Sequence, residues 1–184
     1  MKYLVFSLVF FQLLSCIPHQ IYKDFDEFEN ARKFKLIQVY NAKRDFIGSE
    51  QIKIKYYKTI DSNGTINISA QLLTYSNSED GKLADELHIR IGNAVYDVNF
   101  YNYLSNYDLF RDAGIDYDEE NSNINHNEDE NIRHLADFDI PNEIVEKIMN
   151  NNLLSMRFYI GKEAYTVRFS KFELKQLKKF LIIQ

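Results

Sequence analysis

The sequence predicts an α+β domain: a mainly antiparallel β-sheet or partial sandwich, with a short helix and a C-terminal amphipathic helix packed on it. Three observations carry that expectation. Gln51-Ile52-Lys53-Ile54-Lys55-Tyr56 alternates polar and apolar residues, the period of a half-buried strand. Turn signals at Asn63-Gly64, Gly92-Asn93 and Gly161-Lys162 separate β-rich runs, as short hairpin loops do when a residue must take positive φ. Near the C-terminus Ser170 stands three residues before Glu173, the spacing of a capping box, and Leu174, Leu177 and Leu181 then share one helical face.

Residues 17–33 are polar and acidic with scattered aromatics (Tyr22, Phe25, Phe28), and read as a tether. It would turn helical where Phe25, Phe28 and Arg32 share a face. Leu36 to Tyr40 is the first strand signal and the run around Gln51–Tyr56 the second. Asp61-Ser62-Asn63-Gly64 turns the chain into a return strand from Thr65 to Tyr75, and Ser76 to Lys82 is a loop. Leu87 to Ile91 and Ala94 to Phe100 form a second hairpin. After Tyr103 the pattern dissolves, and residues 104–133 read as a flexible acidic loop; structure resumes near Leu135. Pro141-Asn142-Glu143 opens a short helix with Ile144, Val145 and Ile148 as its apolar side. Leu153 to Ile160 and Ala164 to Phe169 form the last hairpin. The expected order is five strands, a loop, a helix, two strands and a helix, with no internal repeat.

Length and composition set the bounds. A chain of 184 residues allows one domain of ordinary size. Such a domain buries roughly 70% of its unfolded surface, so it needs neither disulfides nor metal to hold together. With 45% hydrophobic residues, six Gly and two Pro the profile is globular, which excludes a disordered or fibrous chain. The net charge is −5, but residues 104–133 hold nine acids against Arg111 and Arg133. The rest of the chain is close to neutral, and that balance argues against nucleic acid as a partner.

The N-terminus is the most specific signal. Met1-Lys2 is followed by an apolar run from Tyr3 to Leu14, interrupted only by Ser7 and Gln12. Its length falls short of the roughly 20 residues that span a bilayer and fits the apolar region of a signal peptide. It ends Leu13-Leu14-Ser15-Cys16, and Cys16 is the only cysteine in the chain. Intramolecular disulfides are thereby excluded. If Cys16 carries lipid, cysteine nucleophiles and cysteine-ligated metal are excluded too. The expected division is 1–15 signal peptide, 16–33 lipidated tether and 34–184 a single β-rich domain.

Candidate chemistry is thin elsewhere. Asp116-Tyr117-Asp118-Glu119-Glu120 begins like a calcium loop, yet Asn121 stands where glycine is needed and Asn127 where a bidentate glutamate is needed. His126 and His134 lie near Glu128 and Asp129 without the spacing of a metal motif, so no metal site is expected. His88 falls in a strand and reads as a packed or surface residue; His19 falls in the tether. No Gly-x-Ser-x-Gly elbow, Gly-rich phosphate loop or dinucleotide fingerprint occurs. The aromatics Tyr96, Phe100, Tyr101, Tyr103, Tyr107 and Phe110 are expected to serve core packing first and a contact surface second. Alternation places Tyr96, Val98 and Phe100 on one face, with Tyr101 and Tyr103 on the other. The lysines of the terminal helix are expected to face water.

Leu13-Leu14-Ser15-Cys16 resembles the bacterial lipobox, with a branched apolar residue three before the cysteine and a small one just before it. Leu14 is bulkier than usual at its position, a looseness known in spirochaetes. With the Asn-, Lys- and Ile-rich body, the chain resembles surface lipoproteins of spirochaetes, Borrelia above all. Its size, and a β-rich domain ending in a helix, are similar to the persistence-in-ticks lipoprotein family. The resemblance implies a lipid-anchored outer-membrane protein acting at the vector or host interface in virulence, with palmitate or other acyl chains on Cys16. Ile17 follows the cysteine, so the aspartate that retains lipoproteins in the inner membrane of enteric bacteria is missing. The leading expectation is a non-enzymatic factor, more exposed at the surface than periplasmic. Its expected partners are the membrane, through the lipid anchor, and a host or vector protein. It would need no small-molecule cofactor. A periplasm-facing structural or assembly lipoprotein comes second, and a hydrolase or metal-dependent enzyme third.

Overall fold

A computed structural model describes residues 21–44, 48–77, 81–105 and 131–184. Ten antiparallel strands form one sheet: β1 (Ile21–Asp26), β2 (Ala31–Arg44), β3 (Ser49–Ile60), β4 (Ile66–Asn77), β5 (Glu86–Ile91), β6 (Ala94–Asn99), β7 (Tyr101–Ser105), β8 (Asn131–Asp139), β9 (Leu154–Ile160) and β10 (Glu163–Arg168). Helix α1 (Asn142–Asn150) lies between β8 and β9, and α2 (Lys171–Ile182) follows β10. The strand order is β6-β5-β9-β10-β2-β3-β4-β8-β7, with β1 added beside β2. The expected antiparallel sheet with two helices is therefore present, and it curls almost into a barrel rather than splitting into a sandwich.

Closure comes from one bent segment. β6 and β7 are separated only by Phe100 and run in the same direction; the first pairs with β5 and the second with β8. The two ends of the strand order are thus joined through a single residue. Phe100 packs at the join, edge to face on Phe138 with ring centroids 5.9 Å apart.

Strict alternation builds the interior. Leu36, Gln38, Tyr40 and Ala42 of β2 are buried, as are Ile52, Ile54, Tyr56, Lys58 and Ile60 of β3. Because antiparallel partners share a face, the same parity carries across β4 (Ile68, Ala70, Leu72) and β8 (Ala136, Phe138).

Helix α2 packs on the inner face of this sheet, over β2 and β3. Ser170 accepts the Glu173 amide at 3.2 Å, and Glu173 accepts the Ser170 amide at 2.6 Å, completing the expected capping box. Such a cap contributes about 1 kcal/mol. Beyond it Leu174, Leu177, Phe180 and Leu181 are buried against the barrel, while Lys175 and Lys179 face water.

Three expectations need correction. The segment expected as a tether, within 16–33, is structured from Ile21: β1 pairs with the first six residues of β2 in full register from Ile21↔Leu36 to Asp26↔Ala31. No helical turn forms around Phe25 and Phe28. The Asp26 carboxylate accepts the Phe28 and Glu29 amides at 3.0 and 3.1 Å, and Asn30 at φ 47° turns the chain back. Tyr101 and Tyr103 do not share a face, because Asn102 at φ 50° forms a bulge that rotates the strand between them. Finally, β8 begins at Asn131, four residues before the expected resumption; its N-terminal part and the last two residues of β7, Leu104 and Ser105, fall inside the segment read as loop. The remainder of that acidic stretch, residues 106–130, lies outside the described residues.

Candidate functional site

Leu13, Leu14, Ser15 and Cys16 lie outside the described residues, and so do His19, Tyr107, Phe110, Asp116 to Glu120, His126, Glu128 and Asp129. Of the residues singled out in sequence, the structure places His88, His134 and the aromatics from Tyr96 to Tyr103. Three polar groupings emerge around them.

The first surrounds His134, which sits on the inner face of β8 and is 1% exposed. Its Nε2 lies 2.7 Å from the Ser76 hydroxyl on β4 and its Nδ1 lies 2.8 Å from the Tyr103 hydroxyl. Tyr103 stacks on the imidazole at 18° between planes, a position it reaches because of the Asn102 bulge. Thr74 faces His134 directly in the β4–β8 register, and its buried hydroxyl has no hydrogen-bond partner among the described residues. A serine 2.7 Å from an imidazole is the first link of a nucleophile–base relay. Here, however, both groups are buried, and a tyrosine holds the nitrogen that a relay usually gives to a carboxylate. The arrangement locks β4, β7 and β8 together through fixed hydrogen bonds. Sequence reading places His134 among possible metal ligands and misses Ser76, although strand parity with Ala70 and Leu72 puts Ser76 inside.

The second grouping joins the barrel to α2. Lys58 is 2% exposed, yet its ammonium donates to the carbonyls of Leu181 and Ile183 at 2.6 and 2.8 Å. Those carbonyls belong to the end of α2, where the helix leaves acceptors unsatisfied and its dipole favours a cation. Burial holds the pKa of Lys58 below its ordinary value. Gln38 donates to the Glu173 carbonyl at 3.0 Å at the other end of the helix and accepts from Tyr40, whose hydroxyl lies 3.0 Å from that of Tyr56.

Desolvation raises both tyrosines well above their ordinary value. On the outer face, desolvation and then the hydrogen bond to Asp139 at 2.8 Å push Tyr101 up to about 12. A phenol whose folded pKa is raised stabilises the fold fully below its unfolded value of about 10, and that stability is lost as pH rises beyond it. The contribution of these tyrosines to the urea midpoint is therefore expected to hold steady up to about pH 10 and to fall above it. Tyrosinate absorbance should show Tyr40 and Tyr56 ionising only as the barrel opens. Free titration of all 13 tyrosines near pH 10, with an unchanged midpoint, would contradict this picture.

The third grouping is on the outside. Asp137 of β8 accepts from Gln71 at 3.0 Å, and Gln71 accepts from Lys55 at 3.3 Å. Lys55 shares this face with Lys35, Lys53 and Arg133, and desolvation together with those charges lowers its pKa. Beside it an open cavity of about 440 Å³ is lined by Ile66, Ile68, Tyr101, Asp139, Pro141 and Asn142. His88 forms a partly exposed pair with Asp97 at 2.6 Å and stands edge-on to Tyr159. Among the described residues no group of three or more His, Cys, Asp or Glu is placed to hold a metal ion.

No family model, curated protein or solved structure matches this chain. Among the described residues no helix is long and apolar enough to cross a membrane, which says nothing of an acyl anchor.

Proposed function

We propose that the chain is a lipid-anchored outer-membrane lipoprotein whose folded part is a non-enzymatic binding domain, a persistence factor at a host or vector interface. The observation that carries this reading is the placement of the single cysteine, Cys16, directly after an apolar run ending Leu13-Leu14-Ser15. A thiol at that point can take a diacylglyceryl thioether, and no other cysteine competes for the role. Two acyl chains hold a protein on a membrane where one binds reversibly. The folded part supports a binding role over chemistry because its own side chains and α2 occupy the barrel interior, leaving recognition to the outer face. That face offers a cationic strip (Lys35, Lys53, Lys55, Arg133) and the exposed side chains of Val39, Tyr75 and Leu104.

Protease treatment of intact cells tests where the domain faces. Loss of the full-length band, alongside known surface markers, is the expected result. A band that survives while periplasmic markers are equally protected would favour the periplasm-facing assembly role instead.

A further inference from the structure

The β1–β2 hairpin presents three aromatics that the fold does not use. Tyr22 and Phe25 on β1 are 50% and 53% exposed, and Phe28 at the turn is 102% exposed. No core position explains a phenylalanine that is wholly in water. The hairpin is nonetheless well built: Lys33 bridges Asp26 and Glu29, each at 2.7 Å, across the turn. Among the described residues β1 pairs with β2 alone, and at its centre the Asp24 carboxylate takes the Phe25 amide at 2.9 Å, which hinders the addition of another strand there. Tyr22 and Phe25 lie on opposite faces of β1, each half exposed, and Phe28 stands wholly in water at the turn.

The chain position of this element is informative. Only residues 17–20 separate Cys16 from the start of β1 at Ile21. Five Cα steps reach at most about 18 Å. Phe25 lies four strand residues further on, about 13 Å from Ile21. A bilayer holding acyl chains on Cys16 is thus within reach of the hairpin. Phenylalanine on the apolar side of a membrane-surface element buries at the boundary between headgroups and acyl chains. Between Ile21 and Leu36, Lys23, Arg32, Lys33 and Lys35 balance Asp24, Asp26, Glu27 and Glu29, so the hairpin has no net charge with which to seek anionic lipid. Its chemistry fits a zwitterionic surface.

We propose that Phe25 and Phe28 form a second membrane contact, resting in the headgroup region of a zwitterionic bilayer and setting the orientation of the barrel above it. The proposal rests on the acylation of Cys16 argued above.

The chain contains no tryptophan, so one introduced residue is a clean reporter. Full-length acylated protein carrying Phe28→Trp should be reconstituted into phosphatidylcholine vesicles and floated on a density gradient. The expected result is co-flotation, a blue-shifted indole emission, and quenching by lipids brominated near the headgroup. Tyr75→Trp, on the outer face of β4, should co-float without shift or quenching. Replacing a fully exposed side chain leaves the fold intact, and the urea midpoint checks this directly. Co-flotation of the Phe28→Trp protein with a water-like, unquenched emission overturns the proposal while leaving the anchor in place. Equal quenching in both variants overturns it as well, since no face would then be preferred. Failure to co-float at all overturns both the anchor and the contact that depends on it.

Discussion

Cys16→Ser protein is expected to lose radiolabelled palmitate completely and to move from the detergent phase to the aqueous phase in phase partitioning. The argument is chemical. A hydroxyl at the same position keeps the shape of the segment but is a poor nucleophile where the thiolate of cysteine is a strong one. Each acyl CH₂ buried in lipid contributes about 0.8 kcal/mol, so two chains of ordinary length outweigh any contact the folded domain can make with lipid. Residual association through Phe25 and Phe28 would therefore appear as weak, reversible binding on vesicles and not as retention in detergent. A Cys16→Ser chain that still partitions fully into detergent, or a wild-type chain that takes up no palmitate, would remove the basis for the lipoprotein assignment.

The strand pattern makes the sheet visible in the sequence. Ile52, Ile54 and Tyr56 alternate so regularly that the interior face of β3 follows from hydropathy alone, and the turns at Asn63-Gly64 and Gly92-Asn93 mark out the β3–β4 and β5–β6 hairpins. The same parity carries Lys58 inward, but a lysine at such a position reads as a breach of pattern until the partner is known. That partner is the end of α2, 123 residues away in sequence for Leu181, and no local rule contains it. Gln38 is the same case, satisfied by the Glu173 carbonyl 135 residues away. Interior polar residues are thus legible as anomalies and illegible as contacts.

The β1–β2 hairpin escapes the sequence pattern for a different reason. Asp24 to Asn30 is acidic and lacks glycine, so it shows no turn signal. Asn30 supplies the positive φ instead, and the Asp26 side chain accepts the turn amides that a backbone carbonyl would otherwise take. Closure of the sheet at Phe100 is hidden because a strand that changes partners midway has the hydropathy of one continuous strand. Because β1 begins at Ile21, inside the segment expected as a tether, an acylated Cys16 would hold the barrel close to its anchor, and the surface near β1 becomes the part a membrane would meet first.

The second large effect concerns the helix packed on the inner face of the barrel. Phe180→Ala is expected to destabilise the fold by about 3–5 kcal/mol, the range for a buried aromatic cut to alanine. Phe180 is fully buried, with its ring 6.3 Å from that of Tyr56 and tilted by 51°. The loss combines the transfer of the ring with the cavity left against Tyr56, and the strands around it cannot collapse to fill that space because the sheet is nearly closed. Most domains are stable by only about 5–15 kcal/mol, so the variant would unfold at a markedly lower urea concentration. Ile182→Ala is the matched control: the residue lies two positions on in the same helix but is 61% exposed, and its replacement should change stability by less than about 0.5 kcal/mol. Comparable costs at the two positions would mean that α2 does not present Phe180 to the interior. A small cost at both would mean that the helix is dispensable to the barrel. Only the large difference agrees with a helix that Lys58 and Gln38 grip from within and whose apolar face completes the core.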